Sequence, residues 1–144
     1  MKVGVLTAPV SRQPLDKFIP FAASIGVQQL ELDVGPGSTF DALKVTDSDI
    51  ASLKKLLAAH NITLSGIVGY WHTMMTGVSD EHRAMSKQVF PAMIKLAPKL
   101  GVDLVGALTG FPTAGKSRLK TIQEDVPEHL NPMTKLAKEA GVRI

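Results

Sequence analysis

Residues 110–117, Gly-Phe-Pro-Thr-Ala-Gly-Lys-Ser, satisfy the pattern G-x-x-x-x-G-K-[ST] at every position. In a phosphate-binding loop, backbone N–H groups cradle the phosphates, the lysine neutralises their charge and the hydroxyl reaches a magnesium ion. The segment follows a predicted strand, Leu104–Thr109, and precedes a predicted helix, which is the setting such a loop requires. A P-loop nucleotide-binding module using Gly110–Ser117 is therefore one reading of the chain. The parts that accompany such a loop are missing. Hydrolysis needs an acidic residue at a second strand end to hold the metal and place water. Only 27 residues follow Ser117, and they contain no apolar strand ending in Asp. No Asn-Lys-x-Asp guanine-reading motif occurs. A milder expectation remains, a substrate phosphate bound by Gly115, Lys116 and Ser117 at a helix start. Against it stands an ordinary glycine-rich loop with an exposed lysine.

Composition excludes several other classes. Of the 144 residues, 44% are hydrophobic and 20% charged, the balance of a globular chain rather than a disordered one. No apolar run approaches the ~20 residues of a membrane span, so no membrane partner is expected. The first dozen residues read as a strand, not a leader. The chain has no cysteine, which excludes disulfides, thiolate nucleophiles and cysteine-ligated zinc and fits a cytoplasmic protein. Net charge is only +3. The clusters Lys54–Lys55 and Lys116/Arg118/Lys120 read as solvated helix faces, and no nucleic-acid partner is expected.

One structural unit recurs. A helix-like segment ends in Gly or Asn, a β-branched residue follows, and a short apolar strand begins. The joints are Ile25-Gly26-Val27, His60-Asn61-Ile62, Leu100-Gly101-Val102 and Ala140-Gly141-Val142, spaced 35, 40 and 40 residues apart. Gly or Asn at such a joint closes a helix in the left-handed conformation. The predicted strands are Lys2–Thr7, Gln28–Val34, Ile62–Tyr70 and Leu104–Thr109, with a fifth starting at Val142. Between them, helical stripes run through Phe18, Phe21, Ala22 and Ile25, and through Ile50, Leu53, Leu56 and Leu57 behind a Thr46 N-cap. A third stripe is Met85, Val89, Met93, Leu96 and Leu100. The fourth is Ile122, Val126, Leu130, Met133, Leu136 and Ala140. Pro20, Pro91, Pro98 and Pro127 fall within this periodicity and are expected to bend or split helices, while Asn131-Pro132 reads as a helix start. The alternation predicts an α/β fold with parallel neighbours, either a doubly wound sheet or a (β/α)8 barrel. The severed fifth strand and the spacing favour the N-terminal half of a (β/α)8 TIM barrel. This is four βα units plus the start of strand five, with residues 1–144 as one partial domain against the ~250 residues of a whole barrel.

The segments MKVGVLTAPV, IGVQQLELDVGPG, SGIVGYWH, LGVDLVGALTG and LAKEAGVRI, in this order and spacing, resemble the xylose isomerase-like TIM barrels. Within these, the sugar phosphate isomerase/epimerase group is most similar. The resemblance implies metal-assisted isomerisation or epimerisation of a sugar or sugar phosphate. The divalent Mn²⁺ or Mg²⁺ would be held by carboxylates and a His at the ends of strands five to eight, none of which lies in this chain. It also implies that the GKS-like stretch is a coincidence. The expected function is the substrate-facing wall of such an enzyme, without turnover on its own, and half-barrel edges that self-associate.

Barrel sites sit at the C-terminal strand ends. Trp71 and His72, just past strand three, are the foremost candidates there: an indole face packs on a sugar ring, and an imidazole bonds a hydroxyl. Strand two alternates Gln29, Glu31 and Asp33 with Leu30, Leu32 and Val34. If the leucines meet the helix layer, Glu31 and Asp33 point inward, Glu31 as an organiser of the interior and Asp33 nearer the mouth. Thr109 and Gly110 end strand four as further candidate pocket residues, with Thr7 a weaker one at strand one. His60, His82 and His129 read as surface residues on helices, and Met74-Met75 as filler.

Overall fold

In the computed structural model, which describes residues 2–144, four short parallel strands lie side by side in chain order. They are β1 (Gly4–Leu6), β2 (Gln29–Asp33), β3 (Thr63–Val68) and β4 (Val105–Gly106). Helices α1 (Leu15–Ser24), α2 (Asp47–Ala59) and α3 (Asp80–Leu100) make the crossovers. Two further helices, α4 (Arg118–Lys120) and α5 (Val126–Glu139), follow the last strand, joined by a π-turn over Thr121–Asp125.

Strand order decides between the two architectures. A doubly wound sheet reverses its order at a switch point and carries helices on both faces. Here the order never reverses, and α1, α2 and α3 all pack on one face. Leu30, Leu32, Val34, Ile67 and Val105 are buried with Ile19 of α1, Leu53 and Leu57 of α2 and Phe90 and Met93 of α3 in a single cluster. The alternate residues of β2, Gln29, Glu31 and Asp33, are half-buried on the other face. This is half of a (β/α)8 barrel, with helices outside and the face that carries Glu31 and Asp33 inside. A fifth strand begins as expected. Arg143 bridges Leu104 in parallel, with Val105 N–H donating to its carbonyl at 2.9 Å and its own N–H donating to the Asp103 carbonyl at 2.7 Å.

The four joints account for the regularity of the repeat. Gly26, Asn61, Gly101 and Gly141 take φ of +86°, +54°, +79° and +68°. After each, the β-branched residue turns its N–H back into the helix. Val27 reaches Ala22, Ile62 reaches Leu57, Val102 reaches Ala97 and Val142 reaches Ala137, all between 2.8 and 3.1 Å. The bond satisfies an orphan carbonyl at the helix end, and the side chain then packs against the core. One local motif therefore stops the helix, turns the chain and seats the next strand. At the other end of α2, Thr46 caps as predicted, in a reciprocal box with Asp49.

Four expectations are corrected. Proline does not split the third helix: α3 runs unbroken through Pro91 and Pro98. Each interior proline costs about 3 kcal/mol. Val89, Phe90, Met93, Ile94, Ala97 and Leu100 are all buried on this helix, and burial of each larger side chain contributes about 1.5–3 kcal/mol, so packing wins. The break instead lies in the last helical segment. There the π-turn precedes Pro127, whose ring would clash with the carbonyl four residues back and which has no N–H to give. Helix α5 then continues past Asn131 with Pro132 inside it, so no helix starts there. The stripe chosen on α1 is also rotated: Ile19 and Ala22 are buried, while Phe21 and Ile25 are 59% and 63% exposed. Strand β4 is two residues long, not six. Beyond Gly106, the chain pairs with the loop after β3. Leu108 N–H donates to Thr73 Oγ1, and the N–H groups of Met75 and Thr76 donate to the Thr109 carbonyl.

Candidate functional site

The inner face opens at the C-terminal strand ends into a cleft of about 430 Å³. It is walled by Arg12 after β1, Asp33 and Ser38 at and after β2, Trp71 and His72 after β3, and Leu108 after β4. Three residues picked from sequence, Asp33, Trp71 and His72, thus converge from two different strands.

Asp33 is held from both sides. Its N–H donates to Thr7 Oγ1 at 2.7 Å, which ties the end of β2 to β1, and its Oδ1 accepts from Gly35 N–H at 3.1 Å. Thr7 is itself buried, so its hydroxyl positions Asp33 rather than meeting a ligand. Gly35 is where a side chain would not fit. A Cβ there would stand 2.4 Å from His72 Cδ2 and 3.3 Å from Asp33 Oδ1. Imidazole and carboxylate therefore flank the same point. Trp71 is 62% exposed, with its ring centroid 6.3 Å from that of Phe111. Its backbone carbonyl accepts from His82 Nε2 at 2.6 Å, which fixes the proton on that nitrogen. His82 is thus a positioning residue that a reading of it as bare surface misses.

Glu31 lies deeper and does not line the cleft. Tyr70 donates its hydroxyl to Glu31 Oε2 at 3.2 Å. Burial, reinforced by the Glu31 charge and this bond, pushes the Tyr70 phenol above its ordinary pKa, so Tyr70 stays a neutral donor. The pair joins the end of β3 to β2 within the half barrel. Thr109 and Gly110 lie elsewhere. Thr109 lines a separate cavity of about 230 Å³ with Phe90 and His129, and Gly110 bridges Thr76 in parallel.

The loop 110–117 uses its polar groups on itself. Lys116 Nζ pairs with Glu124 at 3.0 Å and with Asp125 at 2.5 Å. Ser117 Oγ caps α4 by accepting from Lys120 N–H, Thr113 N–H donates to Thr121 Oγ1, and Lys116 N–H donates to the Thr113 carbonyl. A cradle would need these groups free to face a phosphate. The structure supports no P-loop function, and Gly115, Lys116 and Ser117 are accounted for by the fold of the loop.

Burial holds the His72 imidazole below the ordinary histidine value of 6.5, outweighing Asp33 and Asp41, which raise it. The unfolded chain therefore takes up this proton first. The stabilisation is complete above about pH 6.5 and is lost as pH falls through the folded value. The urea midpoint is expected to drop on acidification below about pH 6.5, and to drop less in His72→Gln and in Gly35→Ala, where the new methyl drives the ring toward water. In Gly35→Ala, the His72 titration followed by NMR is expected to move up toward 6.5. An unchanged drop in both variants would assign the acid sensitivity elsewhere.

The sequence model of the xylose isomerase-like TIM barrels matches residues 19–144. The chain belongs to this family. The half barrel is also similar in fold to solved structures. A D-psicose 3-epimerase from Clostridium cellulolyticum H10, solved with D-tagatose, is 21% identical with a TM-score of 0.72, over 99% of this chain and 50% of that one. A xylose isomerase-like TIM barrel protein from Mycobacterium smegmatis, solved with magnesium, is 15% identical with a TM-score of 0.72, over 99% and 53%. The IolI protein, solved with a zinc atom, is 18% identical with a TM-score of 0.70, over 100% and 50%. The chain thus spans about half the length of these structures. No curated protein matches it in sequence. Among the described residues of this xylose isomerase-like chain, no three His, Asp or Glu side chains converge as a metal cage. These residues do not fit the family's metal, and no step is assigned through one. Nor is any described helix long and apolar enough to cross a membrane.

Proposed function

We propose that the cleft is the sugar-facing wall of a sugar isomerase or epimerase. The convergence of Asp33, Trp71 and His72 at the C-terminal strand ends carries this reading. An exposed indole offers an apolar platform for the C–H face of a sugar. Asp33 accepts from hydroxyls, and a neutral His72 donates one hydrogen bond while accepting another. These groups bind and orient. The divalent metal of the family, Mn²⁺ or Mg²⁺, would be held by groups outside these residues, so no metal-stimulated turnover is expected from the 144 residues alone. The lack of cysteine suits a cytoplasmic setting.

Trp71 is the only tryptophan, which makes its fluorescence a direct report on the cleft. Titration with D-psicose, D-tagatose and D-fructose is expected to perturb the emission saturably, with affinity falling about tenfold in Asp33→Asn, a loss of the size a hydrogen bond to a charged group gives. Unperturbed emission with all three sugars, or EDTA-sensitive epimerisation by the isolated chain, would overturn the reading.

The reading extends to assembly. Among the described residues the outer edge of β1 has no strand partner, and Val3 and Val5 at this edge strand, like Phe21 and Ile25 of α1, are exposed. Open parallel edges with apolar flanks favour association. Light scattering is expected to give a dimer or larger species, reduced by Val5→Lys, and a monodisperse monomer of the native chain would count against it.

A further inference from the structure

Resting on the sugar-wall reading, we propose that Asp125 is a positioning residue for that wall, gripping the loop 110–117 so that Phe111 braces the Trp71 indole. Trp71 needs such a brace. Its backbone is fixed by His82, but its ring is 62% exposed, and among the described residues Phe111 is the one aromatic ring paired with it. The two rings stand 6.3 Å apart and are tilted by 45°, within the range in which aromatic pairs attract. Phe111 is itself 49% exposed. The core does not hold it, so its place must come from the chain on either side.

On the N-terminal side, Phe111 N–H donates to the Thr76 carbonyl at 2.9 Å. The segment also lies against Gly77, where a Cβ would stand 2.5 Å from the Phe111 carbonyl oxygen and 2.7 Å from that of Pro112. On the C-terminal side, the π-turn grips Thr113 by both its donors. Thr121, the first residue of the turn, accepts from Thr113 N–H at 3.0 Å, and Asp125, the last, accepts from Thr113 Oγ1 at 2.6 Å. A π-turn is rare within helices, and both ends of this one hold Thr113. Between the anchors stands Pro112, whose ring fixes φ and leaves little slack. Asp125 is also charged where it grips. Its other oxygen accepts from Lys116 at 2.5 Å. The Lys116 bond, then the Thr113 bond, keep its carboxyl below the ordinary aspartate value, so at neutral pH both bonds are charge-assisted and stronger than neutral ones. The lysine marked by the phosphate-loop pattern thus serves the shape of its own loop.

The test follows Trp71 by acrylamide quenching and by titration with D-fructose in Asp125→Ala, Phe111→Leu and the double variant. Asp125→Ala is expected to raise quenching and to weaken the sugar about threefold, the size of the cost of ordering one side chain on binding. Phe111→Leu should do the same. On the Phe111→Leu background, Asp125→Ala should add less than about 1.5-fold, because the brace is already gone. Native quenching in Asp125→Ala overturns the inference, as do effects that simply multiply in the double variant, since Asp125 then supports the helix end and not the indole. Raised quenching with unchanged affinity overturns it too, because the brace then does nothing for binding. Circular dichroism checks that each variant is folded. Should Asp125→Ala unfold, Thr113→Val removes only the hydroxyl that Asp125 holds, and native quenching there is equally fatal. A native chain that answers no sugar sinks the wall and this inference with it. A native chain that binds D-fructose, with Asp125→Ala unchanged in quenching and affinity, sinks this inference alone.

Discussion

Gly110→Ala is expected to lower the unfolding free energy by about 3 kcal/mol or more, and Gly115→Ala by only about 1 kcal/mol. Both glycines belong to the phosphate-loop pattern, and a nucleotide-binding account would treat them alike. The fold does not. Gly110 sits at φ +123°, and a Cβ there would stand 2.1 Å from the Thr76 carbonyl oxygen and 2.9 Å from its Oγ1. The obstructing carbonyl is backbone, held in place because it accepts from Phe111 N–H at 2.9 Å. It cannot swing aside as a flexible side chain would. Gly115 has φ +77° and nothing within 4 Å of its Cβ position, so only the left-handed strain is felt. Urea unfolding of the two variants gives the comparison directly. The Thr76–Gly110 bridge also sets Phe111 against Trp71. The sugar response of Trp71 should therefore weaken in the Gly110 variant even where it remains folded. Equal and small losses at both positions would mean that the bridge carries little stability.

These two glycines show what a single sequence conveys and what it hides. The joints at Gly26, Asn61, Gly101 and Gly141 are legible because the helix stop, the turn and the returning N–H all lie within a few residues. Propensity and geometry agree there without help from the rest of the chain. Strand order follows from the same repeat. The prolines of α3 mislead because the energy that overrides them is tertiary: the helix is held by the sheet it covers, which the local sequence does not display. The site divides in the same way. Asp33, Trp71 and His72 can be found from their position at strand ends, whereas the same rule applied to the end of β1 selects the buried Thr7 and passes over Arg12, which lines the cleft. The anchoring beside Arg12 could not be read, because the Ser11 carbonyl is held by Thr39, 28 residues away. Lys116 draws attention through a pattern whose physics needs free donors. The acids that quench it, Glu124 and Asp125, stand further along, inside the π-turn.

Phe90→Ala tests how far the outer helix layer supports the cleft on the opposite face of the sheet, and a loss of about 3–5 kcal/mol is expected. Phe90 is the bulkiest of the fully buried side chains, at 1% exposure. It lies on α3, which packs beneath the turn at Tyr70–Thr73 that carries Trp71 and His72. One helical turn along, Met93 Sδ would stand 2.7 Å from a Cβ at Gly69, so the helix abuts the backbone where β3 leaves the sheet. Phe90 also lines the 230 Å³ cavity together with Thr73 and Thr76. Removing its ring enlarges a void that already exists, and little nearby is free to collapse into it, which places the cost toward the upper part of the range. Against a usual domain stability of about 5–15 kcal/mol, this leaves a marginal fold. Denaturant unfolding measures the loss, with Phe90→Leu expected to recover much of it by restoring volume. The decisive readout is Trp71 emission in the folded variant at low denaturant. If α3 is the platform for the site, emission and sugar response change together with stability. If they stay native while stability falls, the cleft is held by its own loop bonds, Thr73 Oγ1 to the Tyr70 carbonyl and His82 to Trp71, and the helix layer contributes only to the core.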